Sequence, residues 1–473
     1  MEPLKKPFWD TLEQYGDRTA LITEDGTSIA YGELLKQADE LGNVIGRRCL
    51  VFSMCRNCAS SVMGYIGFLR RRIVPVMVAE QIPPELLANL LEAYHPAYFY
   101  LPTERIGLVH GTAVWSSEDY TLLRLDYEQD YVLAEKLALL LTTSGSTGSP
   151  KLVRQSVENI ESNTRSIIEY LNIQPEDRAI TTLPMSYTYG LSILQTHLVR
   201  GAAIILTEST LMDKRFWSLF REQKATNFGG VPYVYEMLKK LRFERMDLPS
   251  LRYITQAGGK LSKELSAEFS DICLRKGIRF IVMYGQTEAT ARMAYLPWEY
   301  AVSKAGSMGV PIPGGKLSLI DGDGRVIEEP ETVGELVYSG KNVTLGYAQN
   351  RFDLDKPDEN HGILHTGDMA KRDRDGFYYI VGRKKRFLKI FGSRVNLDEV
   401  EGLLKKQGFD CACSGEDDRM EIYLTDASRR EAVNAFLREQ TGIQYSGYRI
   451  YVIDAIPRNE AGKVLYSQLK GGD

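Results

Sequence analysis

The spacing of apolar and polar residues alternates between strand-like and helix-like patterns over much of the chain. Near the amino terminus Thr19–Ile22 predicts a strand, and Tyr31–Ile45 follows the period of an amphipathic helix. From residue 136 to residue 290 apolar runs alternate regularly with amphipathic stretches such as Lys214–Glu222 and Pro232–Leu241. The apolar runs are Leu137–Leu141, Ala202–Leu206, Tyr253–Thr255 and Phe280–Met283. This order predicts an α/β domain whose sheet is covered by helices.

The pattern changes between residues 305 and 380, where short β-rich runs are separated by glycine-containing pairs. The segments 321–324 and 375–376 contain Asp-Gly pairs, which are typical of hairpin turns. The first could open a calcium-binding loop, but the remaining ligand positions are missing, so we interpret both as turns.

The last part of the chain follows a basic segment, residues 383–394, that contains no acidic residue. Taken alone, this segment is compatible with a nuclear-import signal, a nucleic-acid patch or a solvated linker. Beyond it we predict a helix at Leu397–Gln407 and strands at Glu421–Leu424 and Tyr448–Ile453. These elements predict a small α+β domain that extends from near Arg386 to Asp473.

The composition limits the classes of function. A chain of 473 residues is long enough for two or three domains, and its 44% hydrophobic and 25% charged content is that of a globular protein. The net charge of −4 gives no overall attraction to nucleic acid. No window is apolar enough for a membrane span, the first residues lack the apolar stretch of a signal peptide, and six cysteines indicate no disulfide framework. We therefore expect a cytoplasmic protein with no nucleic-acid partner.

The segment from Thr143 to Lys151 is the richest in candidate chemistry. It follows a predicted strand, precedes a helix predicted from Val157, and contains five hydroxyl side chains, two glycines and a lysine. Such a loop can turn backbone N–H groups, hydroxyls and a mobile positive charge toward phosphate groups. Its spacing is not that of a Walker loop, because Pro150 precedes the lysine and disfavours a helix there. A solvated Ser/Thr/Gly loop is the alternative for this segment alone.

Four further segments occur in a fixed order after this loop. They are Tyr284-Gly285-Gln286-Thr287-Glu288, His365-Thr366-Gly367-Asp368, Gly382-Arg383 and Arg458-Asn459-Glu460-Ala461-Gly462-Lys463. With the loop, they resemble the adenylate-forming superfamily of acyl-CoA synthetases, luciferases and peptide-synthetase adenylation domains. The resemblance extends from about residue 8 to about residue 470.

The resemblance implies an acid–thiol ligase that uses ATP and Mg²⁺. A small carboxylic acid would react with ATP to give an acyl adenylate and pyrophosphate, and a pantetheine thiol would then displace AMP. That thiol would belong to CoA or to the phosphopantetheine of an acyl carrier protein, and the sequence does not choose between them.

The resemblance also implies a role for each motif residue. The β- and γ-phosphates would be held by Lys151 and the loop residues Thr143, Ser144, Gly145, Ser146, Thr147 and Gly148. Tyr284, beside Gly285 and Gln286, would stack on adenine, Thr287 would donate to the α-phosphate, and Glu288 would bind the magnesium ion. Asp368 and Arg383 would bind the ribose, and Lys463 would stabilise the charge that develops during adenylation.

The fold implied by the resemblance has two parts. A large domain, residues 1–385, would combine helix-covered α/β sheets with a distorted β-barrel-like subdomain. A small mobile α+β domain, residues 386–473, would rotate about Lys385 between the two half-reactions. Lys389 and Gly392 would then line the pantetheine path.

The acyl pocket is expected to include Tyr187, Gly229, Val231, Ala257, Gly258 and Gly259. Tyr187 lies where amino-acid adenylation domains carry an aspartate that binds the substrate ammonium. We therefore expect a carboxylic acid with an uncharged tail and not an α-amino acid, because a buried ammonium without a partner is costly. The alternative for Tyr187 is an ordinary aromatic core residue.

Simpler interpretations exist for single residues and for the whole chain. Asp368 and Arg383 could form an ordinary ion pair, and Glu288 could be an exposed carboxylate at a strand end. The alternative functions are an adenylase with a non-thiol acceptor and a nucleotide-binding regulatory protein that lacks the chemistry.

Overall fold

The structure is a computed structural model that describes residues 6–142, 151–390, 393–416, 419–441, 445–458 and 464–469. The chain divides into two compact units. Unit 1 comprises residues 1–316 and 338–364, and unit 2 comprises residues 317–337 and 365–473. The domain boundary predicted after residue 385 refers to a rotation of residues 386–473 during the reaction, and it stays a prediction.

The helices agree closely with the amphipathic stretches of the sequence. They are α1 (Tyr31–Ile45), α2 (Ala59–Arg70), α3 (Pro84–Tyr94), α4 (Val157–Leu171), α5 (Thr188–Val199), α6 (Lys214–Glu222), α7 (Pro232–Lys240), α8 (Lys263–Lys276), α9 (Leu397–Lys406) and α10 (Arg430–Thr441). No helix in the described ranges is both long and apolar enough to cross a bilayer.

The strands of unit 1 form two large sheets, and the remaining strands form smaller ones. In chain order they are β1 (Thr19–Ile22), β2 (Ser28–Ala30), β3 (Leu50–Cys55), β4 (Val74–Ala79), β5 (Tyr98–Pro102), β6 (Thr112–Ser116), β7 (Tyr120–Arg124), β8 (Leu137–Thr142), β9 (Leu152–Ser156), β10 (Arg178–Ile180), β11 (Ala203–Ile205), β12 (Asn227–Gly230), β13 (Tyr253–Gln256), β14 (Arg279–Tyr284), β15 (Ala294–Tyr295), β16 (Val310–Pro311), β17 (Gly315–Ile320), β18 (Gly334–Gly340), β19 (Tyr347–Ala348), β20 (Ile363–Arg372), β21 (Tyr378–Arg383), β22 (Phe387–Ile390), β23 (Ser393–Asn396), β24 (Cys411–Glu416), β25 (Arg419–Leu424) and β26 (Tyr448–Val452).

The larger sheet of unit 1 has the strand order β16-β15-β14-β13-β12-β10-β11-β1-β2. Its central strands, from β14 to β1, are parallel, and helices α5 to α8 connect successive strands from β10 to β14. The second sheet has the order β19-β9-β8-β4-β3-β5-β7-β6. The predicted helix-covered α/β architecture is therefore confirmed.

Helix α4 follows β9 and begins at a capping box. Ser156 Oγ accepts a hydrogen bond from the Asn159 amide (3.1 Å), and Asn159 Oδ1 accepts one from the Ser156 amide (2.9 Å). The Asn159 amide group also donates to the carbonyls of Lys341 (2.7 Å) and Val343 (2.8 Å). One asparagine thus starts the helix and holds the segment that leads to β19.

The β-rich region expected to form a distorted barrel-like subdomain contains a sheet of four strands in the order β17-β18-β20-β21. No closed barrel is present among the described residues. The Asp-Gly turns at 321–324 and 375–376 are confirmed.

The carboxyl-terminal part of unit 2 has the predicted α+β composition. Strands β24-β25-β26 form one sheet, which shares a buried apolar core with α9, and residues such as Leu404, Ile422 and Leu437 belong to that core. The predicted helix at Leu397–Gln407 and both predicted strands are confirmed to within two residues.

Candidate active site

Three neighbouring parallel strands of unit 1 end at the same edge of the sheet. Gly230 at the end of β12 is in register with Gln256 at the end of β13, and Gln256 is in register with Val282 of β14. The segments that follow these strands are 231–232, 257–259 and 285–288. The fold therefore brings the predicted acyl-pocket glycines next to the predicted nucleotide motif, at the carboxyl edge where open α/β sheets bind ligands.

The backbone of the motif after β14 is tightly constrained. A side-chain carbon built at Gly285 would lie 1.7 Å from the Ala291 carbonyl oxygen, so only glycine fits this position. Thr290 has φ +64°, a conformation that is strained for a β-branched residue. It is held there because its carbonyl accepts from the Thr188 hydroxyl and its own hydroxyl donates to the Asn342 carbonyl (2.8 Å). Strain that surrounding bonds maintain in this way is typical of functional sites.

The predicted magnesium ligand and the predicted phosphate lysine contact the same tyrosine. The Tyr347 hydroxyl donates to Glu288 Oε1 at 2.6 Å, and Lys151 Nζ lies 3.3 Å from the centre of the Tyr347 ring. The Glu288 carbonyl also accepts from the amide and the hydroxyl of Thr344, each at 3.0 Å. Tyr347 therefore contacts both residues, because its ring lies against Lys151 and its hydroxyl bonds Glu288. Glu288 is held at both its backbone and its side chain.

The adenine and α-phosphate candidates lie beside this cluster in the chain. The Gln286 side-chain amide donates to the Tyr284 hydroxyl at 3.2 Å. Thr287 and Glu288 belong to a short 3₁₀ helix, Thr287–Ala289, and both are half-buried. Their side chains are therefore accessible to a ligand at this edge of the sheet.

The acyl-pocket candidates are in mutual contact. A side-chain carbon at Gly258 would lie 2.6 Å from the Tyr187 hydroxyl and 3.0 Å from Val231 Cγ1, and one at Gly229 would lie 2.9 Å from the Tyr189 hydroxyl. Burial raises the pKa of Tyr187, while the nearby Arg292 charge lowers it. At neutral pH the Tyr187 phenol is thus a neutral donor beside the glycines. Ala257 is buried, and a side-chain carbon built at Gly259 would lie 3.0 Å from Cγ of Pro232, the first residue of α7.

In unit 2, Asp368 and Arg383 face each other across strands β20 and β21. They occupy paired register positions, and Arg383 Nε lies 2.7 Å from Asp368 Oδ1. The Asp368 side chain is only 4% exposed, whereas that of Arg383 is 54% exposed. The ion pair expected as the simpler interpretation is therefore present. A carboxylate has a second oxygen, so the pair is also compatible with binding of a hydroxyl group.

The basic segment makes specific ion pairs within unit 2. Lys384 Nζ lies 2.6 Å from Glu335 Oε2, and Arg386, which also bonds Asp398, lies 2.5 Å from Glu401 Oε1. The Arg386 guanidinium packs 3.8 Å from the ring centre of Tyr466. A fully solvated linker does not account for this arrangement, because the Arg386 side chain is only 12% exposed.

Several predicted residues cannot be placed. Thr143, Ser144, Gly145, Ser146, Thr147, Gly148, Gly392 and Lys463 lie outside the described residues. The side chains of Lys385 and Lys389 also lie outside them, although the backbone of Lys385 belongs to the 3₁₀ helix Lys384–Arg386 and that of Lys389 to β22. Their assigned roles stay predictions.

Sequence reasoning missed two residues of this region, Tyr347 and Arg292. Tyr347 gives no local signal, because its neighbours Lys151 and Glu288 are distant in the chain. Arg292 gives one: it is a single charge within the run from Ala289 to Ala294, just after the nucleotide motif. It is 3% exposed and its guanidinium stacks 4.0 Å from the ring centre of Tyr189.

A magnesium ion fits the donors present. No described group of three or more His, Cys, Asp or Glu side chains could form a complete metal site. Glu288 offers a hard carboxylate oxygen, and Mg²⁺ is commonly bound by one or two carboxylates together with phosphate oxygens and water.

A family model described as "AMP-binding enzyme" matches residues 8–348. The oxalate–CoA ligase of Arabidopsis thaliana is 27% identical over 403 residues, which cover 80% of this chain and 77% of that protein. The 2-succinylbenzoate–CoA ligase of Bacillus subtilis (strain 168) is 29% identical over 351 residues, which cover 72% and 70% of the two chains.

Among solved structures, the O-succinylbenzoate coenzyme A synthetase of Bacillus subtilis in complex with AMP has a TM-score of 0.81 at 23% identity, over 99% of this chain and 98% of that one. The same enzyme solved with ATP and a magnesium ion has a TM-score of 0.79 at 23% identity, over 98% and 99% of the two chains. The likeness to these structures is one of fold.

Proposed function

Because this chain belongs to the AMP-binding enzyme family, we propose that it is an ATP-dependent acid–thiol ligase. In the first half-reaction a carboxylate oxygen bonds to the α-phosphorus of ATP, and pyrophosphate leaves. In the second, a thiol sulfur bonds to the acyl carbon, AMP leaves and the thiol proton is released. The observation that carries the proposal is the Lys151–Tyr347–Glu288 contact at the carboxyl edge of the parallel strands.

The residues at this edge suit a reaction that depends on positioning and charge stabilisation. Lys151 and the loop before it bind the β- and γ-phosphates, and Thr287 donates to the α-phosphate. Glu288, oriented by Tyr347, holds the magnesium ion, which neutralises phosphate charge when bound. Tyr284 stacks on adenine. In unit 2, the match of His365–Asp368 to the family motif assigns the ribose hydroxyls to Asp368.

Lys463 supplies the charge that stabilises the reacting carboxylate and α-phosphate. Its role rests on the match of Arg458–Lys463 to the family motif. Removal of one such donor commonly costs about 10²–10³-fold in rate.

The acid lies against Tyr187 and the glycines at positions 229 and 258. The relatives do not indicate the size of the acid, since their names give acids as different as oxalate and 2-succinylbenzoate. Both are named as CoA ligases, which favours CoA as the thiol of this chain. The pantetheine arm of an acyl carrier protein has the same reactive end and is the second candidate.

The test is pyrophosphate release over a panel of carboxylic acids, with and without CoA. We expect release with at least one acid, and formation of a thioester and AMP when CoA is added. Lys463→Ala should abolish release but still form thioester from supplied acyl adenylate. Lys371→Ala is a matched control, because this lysine makes a surface ion pair with Glu331.

Each contrary result identifies one alternative. Nucleotide binding with no pyrophosphate release for any acid would indicate a regulatory protein. Adenylation that no thiol, free or carrier-bound, can complete would indicate a non-thiol acceptor. Equal loss of both half-reactions in Lys463→Ala would contradict a role for this lysine in adenylation alone.

A further inference from the structure

Arg292 is a buried guanidinium without a carboxylate partner in the described part of the chain. Its Nε has no hydrogen-bond partner. Its other nitrogens make long bonds of 3.3 Å, one to the Ala291 carbonyl and one to the Ser192 hydroxyl. The guanidinium also stacks on Tyr189 and lies beside the hydroxyl of the buried Tyr170, and both of these neighbours are uncharged phenols.

Arg154, the other buried arginine of the described residues, does have a carboxylate partner. Arg154 lies 2.7 Å from Glu359 Oε2 and also donates to the carbonyls of Leu345 (2.7 Å) and Lys356 (2.6 Å). Arginine keeps its charge at any physiological pH, and a buried charge is costly unless it is paired. The contrast indicates that the partner of Arg292 is not supplied by the described chain.

Arg292 lies next to the proposed acyl pocket. It stacks on Tyr189, whose hydroxyl lies beside Gly229 and bonds the Thr255 hydroxyl at 2.7 Å. It also lines a small cavity with the polar side chains of Ser192, His197, Asn227 and Thr255. None of the residues that line this cavity is a carboxylate, and Arg292 carries the one permanent charge among them, so its positive charge is not balanced within the cavity.

The position of Arg292 is fixed from outside its own segment. Asn163 Oδ1 accepts from the Arg292 amide at 3.2 Å, and Asn163 Nδ2 donates to the Arg292 carbonyl at 2.9 Å. Asn342 Nδ2 donates to the same carbonyl at 2.9 Å. Both asparagines are buried, so the guanidinium is presented from a rigid backbone.

We propose that Arg292 determines acid specificity by binding a second carboxylate at the far end of the substrate, so that the substrate is a dicarboxylic acid. The inference rests on the proposed function and names its substrate class. A dicarboxylic substrate differs from the acid with an uncharged tail that we expected from the sequence. That expectation was based on Tyr187 and did not include Arg292.

The experiment measures ATP–pyrophosphate exchange with matched pairs of acids, such as butyrate against succinate and hexanoate against adipate. Wild-type protein should prefer the diacid of at least one pair by about 10²-fold or more in kcat/KM. Arg292→Met, which keeps length without charge, should remove this preference by raising KM for the diacid. It should leave the monoacid rate unchanged or increased.

Two further variants keep the test independent of folding. Arg292→Lys should retain part of the diacid preference, because it keeps the charge but not the two-pronged geometry. Arg279→Met is the matched control, since this arginine lies at the opposite end of β14 and stacks on Tyr253. We expect it to leave the ratio of diacid to monoacid unchanged.

Preference of the wild type for the monoacid of every pair would overturn the proposal, whatever the variants do. An equal fall for both acids in Arg292→Met and Arg292→Lys would also overturn it, because Arg292 would then act on the reacting carboxylate or on the fold. Absence of exchange with every acid would refute the proposed function itself, which is a distinguishable result.

Discussion

At the scale of single residues, Tyr347 connects two charges of opposite sign. Its ring supports the Lys151 ammonium, a contact worth about 0.5–2 kcal/mol, and its hydroxyl orients the Glu288 carboxylate. A hydrogen bond to a charged acceptor is stronger than one between neutral groups. Tyr347 is therefore a positioning residue for the proposed phosphate and magnesium site.

Tyr347→Phe should raise the Mg²⁺ concentration needed for half-maximal exchange several-fold, since the Glu288 carboxylate loses its orienting donor. Tyr347→Leu, which also removes the ring beneath Lys151, should in addition raise KM for ATP. The measurement is pyrophosphate exchange titrated with Mg²⁺ and with ATP. Tyr94→Phe is the control: its hydroxyl bonds the Ala348 carbonyl of the same strand at 2.7 Å, so it should cost about 1 kcal/mol of stability without changing the Mg²⁺ requirement. An unchanged Mg²⁺ requirement in Tyr347→Phe would remove this role.

At the scale of elements, the sequence predicted best what is encoded locally. The helices α1 and α6 have the bounds that their amphipathic period indicates, because each has one apolar face that is buried. The two-residue strand β19 had no such signal, since it exists only by pairing with β9, which lies far away in the chain. The contacts of Tyr347 and the missing partner of Arg292 were hidden for the same reason. They depend on tertiary neighbours, which periodicity does not report.

The strand-to-motif turn after β14 gives a prediction at this scale. Gly285→Ala should abolish adenylation, because the added carbon would lie 1.7 Å from the Ala291 carbonyl and would displace the segment that carries Thr287 and Glu288. A displacement of about 1 Å can cost about 10²-fold in rate. The measurement is exchange activity together with a thermal melt. Gly107→Ala, with no atom within 4 Å of the added carbon, should be silent. Wild-type activity in Gly285→Ala would show that the motif tolerates the shift.

At the scale of the whole molecule, the family resemblance predicts a movement about Lys385 between the half-reactions. Lys385 itself lies within unit 2. The side chains of Lys384 and Arg386, on either side of Lys385, are engaged in ion pairs within unit 2. The role of position 385 is therefore best tested with a substitution that restricts its backbone angles.

Lys385→Pro should leave acyl-adenylate formation intact and lower thioester formation by about 10²-fold or more, since proline fixes φ near −65° and restricts the residue before it. The two half-reactions are measured separately, by pyrophosphate exchange and by thioester release from supplied adenylate. Lys385→Ala, which keeps backbone freedom, should support both. Thioester formation at the wild-type rate in the proline variant would exclude Lys385 as the hinge.

The cysteines allow the two units to be followed separately. Burial raises the pKa of the thiols of Cys49 (to about 11) and Cys273 (to about 12) in unit 1 and of Cys411 (to about 12) in unit 2, so little thiolate is present near neutral pH. Native protein should therefore react slowly with iodoacetamide. With increasing urea, we expect Cys49 and Cys273 to become reactive as one set and Cys411 as another, as measured by mass spectrometry of pulse-labelled peptides. Labelling of all three at one urea concentration would show that the units unfold together.

The anchoring of the Arg292 backbone by two buried asparagines has a practical consequence. Because Asn163 and Asn342 hold the amide and the carbonyl of position 292, its side chain can be exchanged while the main chain stays in place. A saturation library at this one codon would then vary the charge and volume at the end of the pocket on a constant scaffold. Position 292 is thus a natural starting point for redirecting the enzyme toward acids that it does not now accept.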